Sequence, residues 1–131
     1  MRDRYRERGV AAEVTAFIDD IAGRYAEADL IICRAGASTI AELAAAGVAS
    51  VLVPYPQAVD DHQTANARFL AERGAALLIP QGELTPQRLA EVLAGLDRAR
   101  LLAMAQAARA AGKPEATRAV ADVCVELARA A

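Results

Sequence analysis

The stretch that decides the fold is Asp29-Leu-Ile-Ile-Cys-Arg-Ala-Gly-Ala-Ser-Thr-Ile-Ala-Glu-Leu-Ala-Ala-Ala-Gly47. Leu30–Cys33 is a short, uninterrupted apolar run, the composition of a strand buried on both faces. Thr39–Ala46 reads as a helix with Ile40 and Leu43 on one face, and Gly47 is placed to end it. The turn between them, Arg34-Ala35-Gly36-Ala37-Ser38, is made almost entirely of small residues. A strand that opens through such a turn into a helix presents unpaired backbone N–H groups at the positive end of the helix dipole. That is a seat for a phosphate. Gly36 can take backbone angles closed to other residues and lets a ligand approach the main chain. Arg34 adds a permanent positive charge at the strand's end. A second reading stands on the same residues. Thr39-Ile-Ala-Glu42 fits a capping box, in which Thr39 and Glu42 do no more than satisfy the helix's first N–H groups.

Working outward, the same alternation continues. Upstream, Val10–Phe17 holds a short strand, expected over Glu13–Phe17, and Asp19 or Asp20 caps a helix reaching about Ala26. Arg2–Arg8 suits the carboxyl half of a helix that Gly9 ends. Downstream, Ser50–Pro54 is a third strand, and Asp60 or Asp61 caps a helix reaching Arg73 with Gly74 as its stop. Asp60 and Asp61 fit helix caps better than an acid–base pair. Ala75–Ile79 is a fourth strand. Thr85-Pro86 starts a helix with Leu89, Val92, Leu93 and Leu96 inward, and two amphipathic helices follow, parted at Gly112-Lys113-Pro114. Short apolar strands alternating with helices imply an α/β fold. The expectation is a Rossmann-like parallel sheet of about four strands with helices on both faces. Such sheets bind ligands beyond the carboxyl ends of their strands. Ile18-Asp19-Asp20, Arg34–Thr39 and Tyr55–Gln63 are the three loops that converge there, which strengthens the phosphate reading.

Bulk properties narrow the function. The 131 residues suffice for one domain with a hydrophobic core. A net charge of -2 leaves no basic excess for a nucleic-acid backbone. Only 4% aromatic residues and no tryptophan argue against base-stacking platforms. Cys33 and Cys124 have no CxxC partner, so both read as small core residues, with no disulfide or metal site. No apolar run approaches the roughly 20 residues that span a bilayer. The charged amino terminus is not a signal peptide, so a cytoplasmic setting is expected.

Phe17-Ile18-Asp19-Asp20, Asp29–Glu42, Val53-Pro54 and Asp60-Asp61-His62-Gln63-Thr64-Ala65-Asn66-Ala67 follow one another in a recognisable order and spacing. In these segments the chain resembles the MurG family of bacterial glycosyltransferases. These enzymes add N-acetylglucosamine to lipid-linked muramyl-pentapeptide in peptidoglycan synthesis, a step of cell-wall biogenesis tied to cell shape and division. The resemblance implies the carboxyl-terminal, sugar-donor-binding domain of a GT-B enzyme, with UDP-N-acetylglucosamine as the ligand. By the resemblance, the backbone at Ile18 reads the uracil edge and Arg34 lies near the donor. The turn Gly36-Ala37-Ser38-Thr39, continuing into Ile40 and Ala41, faces the diphosphate. Glu42 accepts hydrogen bonds from the ribose hydroxyls, and His62 and Gln63 contact the sugar. The chemistry agrees: a diphosphate suits helix N–H groups and a guanidinium, and one carboxylate can accept from a cis-diol. Sugar hydroxyls suit side chains that both donate and accept. His62's place in the first turn of a helix equally fits a solvated surface residue, and since the family's proposed base lies in the other domain, the resemblance makes it a sugar contact and not a base. No catalytic residue is therefore expected within these residues, and no metal or other cofactor is required.

The resemblance also marks departures. An amino-terminal acceptor domain, which carries the membrane-association surface, is expected as a missing partner. The donor domain's first two strands are missing as well. The chain then reads as one domain, a fragment of the donor-binding unit, with open sheet edges prone to self-association. Two other functions stay open: a non-catalytic nucleotide-sugar-binding subunit that needs an acceptor-side partner, or another GT-B-like UDP-sugar enzyme.

Overall fold

The computed structural model describes residues 2–57 and 59–130. At its centre lie three parallel strands, β1 (Leu30–Cys33), β2 (Ala49–Leu52) and β3 (Ala76–Leu78), in the order β1-β2-β3. Leu30 pairs with Ala49 and Cys33 with Leu52, while Ser50 pairs with Ala76 and Leu52 with Leu78. Helix α3 (Ala37–Ala46) links β1 to β2, and α4 (His62–Ala71) links β2 to β3. Right-handed crossovers between neighbouring parallel strands put both helices on one face. There Ile40, Leu43 and Ala44 of α3 meet Ala67 and Leu70 of α4 over Leu52 and Ala76. All four residues of β2 are buried, as a central parallel strand requires.

The remaining helices are α1 (Arg2–Glu7), α2 (Ile21–Glu27), α5 (Pro86–Ala94), α6 (Arg98–Ala111) and α7 (Ala116–Ala130). α6 packs on α3 and β2, burying Met104 and Ala108. Gly47 ends α3 with φ 70°, and a Cβ there would lie 2.9 Å from the Cβ of Arg109 on α6. Both the left-handed turn and the close helix approach require glycine at that point. The Arg109 guanidinium donates to the Ala45 carbonyl and fastens the two helices.

Three expectations need correction. The sheet of the described residues has three strands, because Glu13–Phe17 joins no ladder. A strand needs a neighbour to bond to, and β1, β2 and β3 pair only with one another, so Glu13–Phe17 stays outside the sheet. Polar ties hold the segment instead: Arg2 donates to the Val14 carbonyl at 2.7 Å, and Arg24 pairs with Glu13 at 2.8 Å. The same open edge leaves Ile32 of β1 45% exposed. Cys124 is exposed rather than a core residue, since α7 buries none of its residues. Leu93 of α5 is likewise 40% exposed, while Leu89, Val92 and Leu96 are half-buried. The other cysteine, Cys33, is half-buried, and burial pushes its thiol pKa up.

Candidate functional site

The site grows from the amino terminus of α3. This helix starts at Ala37, two residues earlier than the sequence suggests, with Gly36 in the capping position and no side chain capping it. Its first hydrogen bond runs from the Ile40 N–H to the Gly36 carbonyl at 3.0 Å. The N–H groups of Ala37, Ser38 and Thr39 therefore have no acceptor inside the helix. Thr39 lies inside the first turn and not before it, so the capping box does not form. Gly36 adopts φ -64° and ψ 149°, extended backbone open to any residue, so its expected conformational freedom goes unused. A Cβ at Gly36 would meet only the Thr39 hydroxyl oxygen, at 3.6 Å. Nothing in the fold demands glycine there; what glycine leaves is an unobstructed approach to the helix end. Ala37, Ser38 and Ala41 are exposed, whereas Ile40 points into the core.

The neighbouring loops are fastened around this terminus. The Arg34 guanidinium donates to the carbonyls of Val53 and Pro54, both at 3.2 Å, and lies over the Tyr55 ring at 5.6 Å from its centroid. It thus ties the end of β1 to the loop after β2 and stays accessible, lining an open cleft of about 310 Å³ with Ile32, Val53 and Leu84. The Tyr55 N–H donates to the Gln63 side-chain oxygen at 2.9 Å, which leaves the Gln63 amide NH2 free to donate elsewhere. Asn66 donates to the Ala35 carbonyl at 3.1 Å and so holds the β1–α3 turn to α4. Tyr55 and Asn66 did not emerge as site residues from the sequence. The available signal was the three-residue spacing of Gln63 and Asn66, which puts both on one side of α4. His62 is the first residue of α4 and is exposed. Asp61 takes the position before α4 as expected, yet caps no backbone N–H. Asp60 and Asp61 have φ 52° and 53°, a region Asp tolerates, and Asp61 accepts the Thr64 hydroxyl at 2.6 Å.

Glu42 follows Ser38 by four residues, so the two stand one turn apart on the same side of α3. The Tyr25 hydroxyl of α2 donates to Glu42 Oε2 at 3.2 Å. Burial raises the Tyr25 pKa, and the bond to Glu42 and its charge push it the same way. Tyr25 too was missed, because a lone tyrosine in a short helix carries no motif. Ile18 is placed differently. With Phe17, Asp19, Asp20 and Glu13 it lines a separate cavity of about 460 Å³. Among the described residues no hydrogen bond joins it to the residues around Arg34. No group of three or more His, Cys, Asp or Glu that could hold a metal occurs among the described residues. Chemically, α3 offers N–H groups without an acceptor inside the helix at its start and an anchored carboxylate one turn further, with Arg34 at the end of the preceding strand. Such groups can take an anion and accept from hydroxyls.

The pattern described as the glycosyltransferase family 28 C-terminal domain matches residues 1–122. The chain belongs to this family. Among curated relatives, the family 28 domain here is 62% identical over 128 residues to an enzyme of Aromatoleum aromaticum. It is 56% identical over 127 residues to one of Nitrosospira multiformis. Both are named UDP-N-acetylglucosamine–N-acetylmuramyl-(pentapeptide) pyrophosphoryl-undecaprenol N-acetylglucosamine transferase. The matches cover 98% and 97% of this chain but only 36% of each relative, so the chain spans about a third of their length. In three dimensions it is similar to the crystal structure of Acinetobacter baumannii MurG, with TM-score 0.83 and 52% identity. That likeness covers 87% of this chain and 33% of the other.

Proposed function

We propose that these residues are the sugar-donor-binding part of a transferase that moves N-acetylglucosamine from UDP-N-acetylglucosamine to lipid-linked muramyl-pentapeptide. The observation that carries the reading is the uncapped, exposed start of α3 between Arg34 and Glu42. A diphosphate fits the Ala37–Thr39 N–H groups, and ribose hydroxyls fit Glu42 one turn along. The relatives' names supply the rest: the uracil, for which the Ile18 backbone is the candidate, and the N-acetylglucosamine, for which His62 and Gln63 are. As the glycosidic bond to UDP breaks, negative charge grows on the departing diphosphate. In this reading Arg34 and the helix terminus stabilise it, and no metal ion is required if they do that work.

In this reading the 131 residues form one unit, the later part of a donor domain. Transfer then depends on an acceptor-side partner from the remaining two-thirds of a relative's length. That partner would also carry the contact with the cytoplasmic face of the membrane; no helix among the described residues is long and apolar enough to cross one. The outer edge of β1, with Ile32 exposed, is where preceding strands would pair, and where isolated chains would self-associate. Light scattering at rising concentration reads that association.

The test of the site is an NMR titration with UDP-N-acetylglucosamine. Saturable shifts confined to residues 18–20, 34–42 and 62–66, weakened in Arg34→Ala and Glu42→Ala, are expected. Shifts scattered over α5 and α7, or none at millimolar ligand, would defeat the reading.

A further inference from the structure

Glu42 is exposed on α3, and an exposed glutamate normally samples several side-chain conformations. Here it does not stand alone. Tyr25 projects from α2, and its ring packs against the hydrophobic core beside Ala28, Ile31 and Cys33. α2 itself is pinned at its start, where the Asp20 carboxylate accepts from the Gly23 N–H at 2.9 Å, and it packs on α3. The phenol oxygen is thus positioned by core packing, and it reaches only one carboxylate oxygen, Glu42 Oε2. A carboxylate has about four acceptor sites, so one bond from Tyr25 fixes its orientation and leaves the others open.

We infer that Tyr25 is a positioning residue that holds the Glu42 carboxylate ready for the vicinal hydroxyls of a ribonucleotide, and so sets the site's preference for an intact ribose. The inference rests on the proposed role of Glu42 in binding the donor. Tyr25 touches no ligand; it removes the ordering that the ligand would otherwise have to impose on Glu42. A phenol is protonated at neutral pH, as a donor must be, and burial with the Glu42 contact shifts its pKa further up. The phenol therefore acts only as a hydrogen-bond donor and transfers no proton.

Calorimetric titration of this chain with UDP and with 2′,3′-dideoxy-UDP separates the possibilities. The ratio of the two Kd values reports how much binding depends on the ribose hydroxyls. Tyr25→Phe keeps the packed ring and removes only the hydroxyl. The expected result is a ratio smaller by roughly three- to tenfold, with dideoxy-UDP binding unchanged, the size of one lost hydrogen bond. In a Glu42→Gln background, adding Tyr25→Phe should change the ratio by less than about twofold, because the pair acts as a unit. A Tyr25→Phe variant that weakens both ligands equally, or leaves the ratio intact, overturns the inference while the donor site stands. A wild-type chain that does not bind UDP, or whose ratio is one, overturns the reading of Glu42 and this inference with it.

Discussion

Two groups of helix amino termini in this molecule are built differently. α2, α5 and α6 start with a side-chain cap: Asp20 accepts from Gly23, Thr85 from Arg88 and Asp97 from Arg100. α3 and α4, the two helices that leave the carboxyl ends of β1 and β2, have no side-chain cap. A cap contributes about 1 kcal/mol, so its absence at both helices flanking the strand ends is a cost in stability. The difference separates two tasks. Capped termini complete the fold by themselves, whereas at α3 the first N–H groups have no acceptor within the helix and would be open to a ligand. Around α3 the loops are fastened by Arg34, Gln63 and Asn66 to backbone groups nearby, which steadies the opening without filling it.

Substitutions on each side of this division should affect different quantities. The largest effect is expected at Arg34. Arg34→Ala removes the positive charge and frees the Val53 and Pro54 carbonyls, so UDP-N-acetylglucosamine binding should weaken by roughly ten- to a hundredfold in a calorimetric titration. Next come the capped helices. Thr85→Ala and Asp97→Ala should each cost about 1 kcal/mol in urea unfolding and leave ligand affinity unchanged. An equal loss of affinity would blur the division. The smallest effect is spectroscopic. The Tyr25 phenol should titrate above the ordinary tyrosine value, and Glu42→Gln should lower it, as followed by ultraviolet difference spectra. The folded-state pKa is raised, so the stability linked to Tyr25 is present below the ordinary tyrosine pKa. It is lost as pH rises through the raised value.

Much of this was legible in the residues, for physical reasons that can be named. Leu30–Cys33, Ser50–Pro54 and Ala75–Ile79 are short apolar runs fit for strands, and β1, β2 and β3 form there with ends shifted by no more than two residues; only β2 is buried throughout, while β1 leaves Ile32 exposed. Thr85-Pro86 and Gly47 carry strong local preferences and stand where those preferences place them. Glu13–Phe17 has strand composition, but a strand is a property of a pair, and among the described residues no strand lies beside it. Thr39-x-x-Glu42 satisfied the capping-box spacing, yet the helix began two residues sooner. Small Ala37 and Ser38 accept helix geometry without a signal that marks the boundary. Around the candidate site, the side-chain types of Arg34, Glu42 and Gln63 stand in the sequence itself. Tyr25 and Asn66 were not, because their role comes from which helix packs beside which.

The most direct test is to give α3 the cap it lacks. Gly36 has extended capping geometry and room for a side chain, so Gly36→Asp can cap the helix from within. Paired urea unfolding and calorimetric titration with UDP-N-acetylglucosamine would then be made on the wild-type chain and this variant. Stability is expected to stay unchanged or rise by a few tenths of a kcal/mol, with binding weaker by at least roughly tenfold, because the carboxylate takes the N–H groups and repels the diphosphate. A variant that gains stability and binds as tightly as the wild type would show that the open end of α3 holds no ligand.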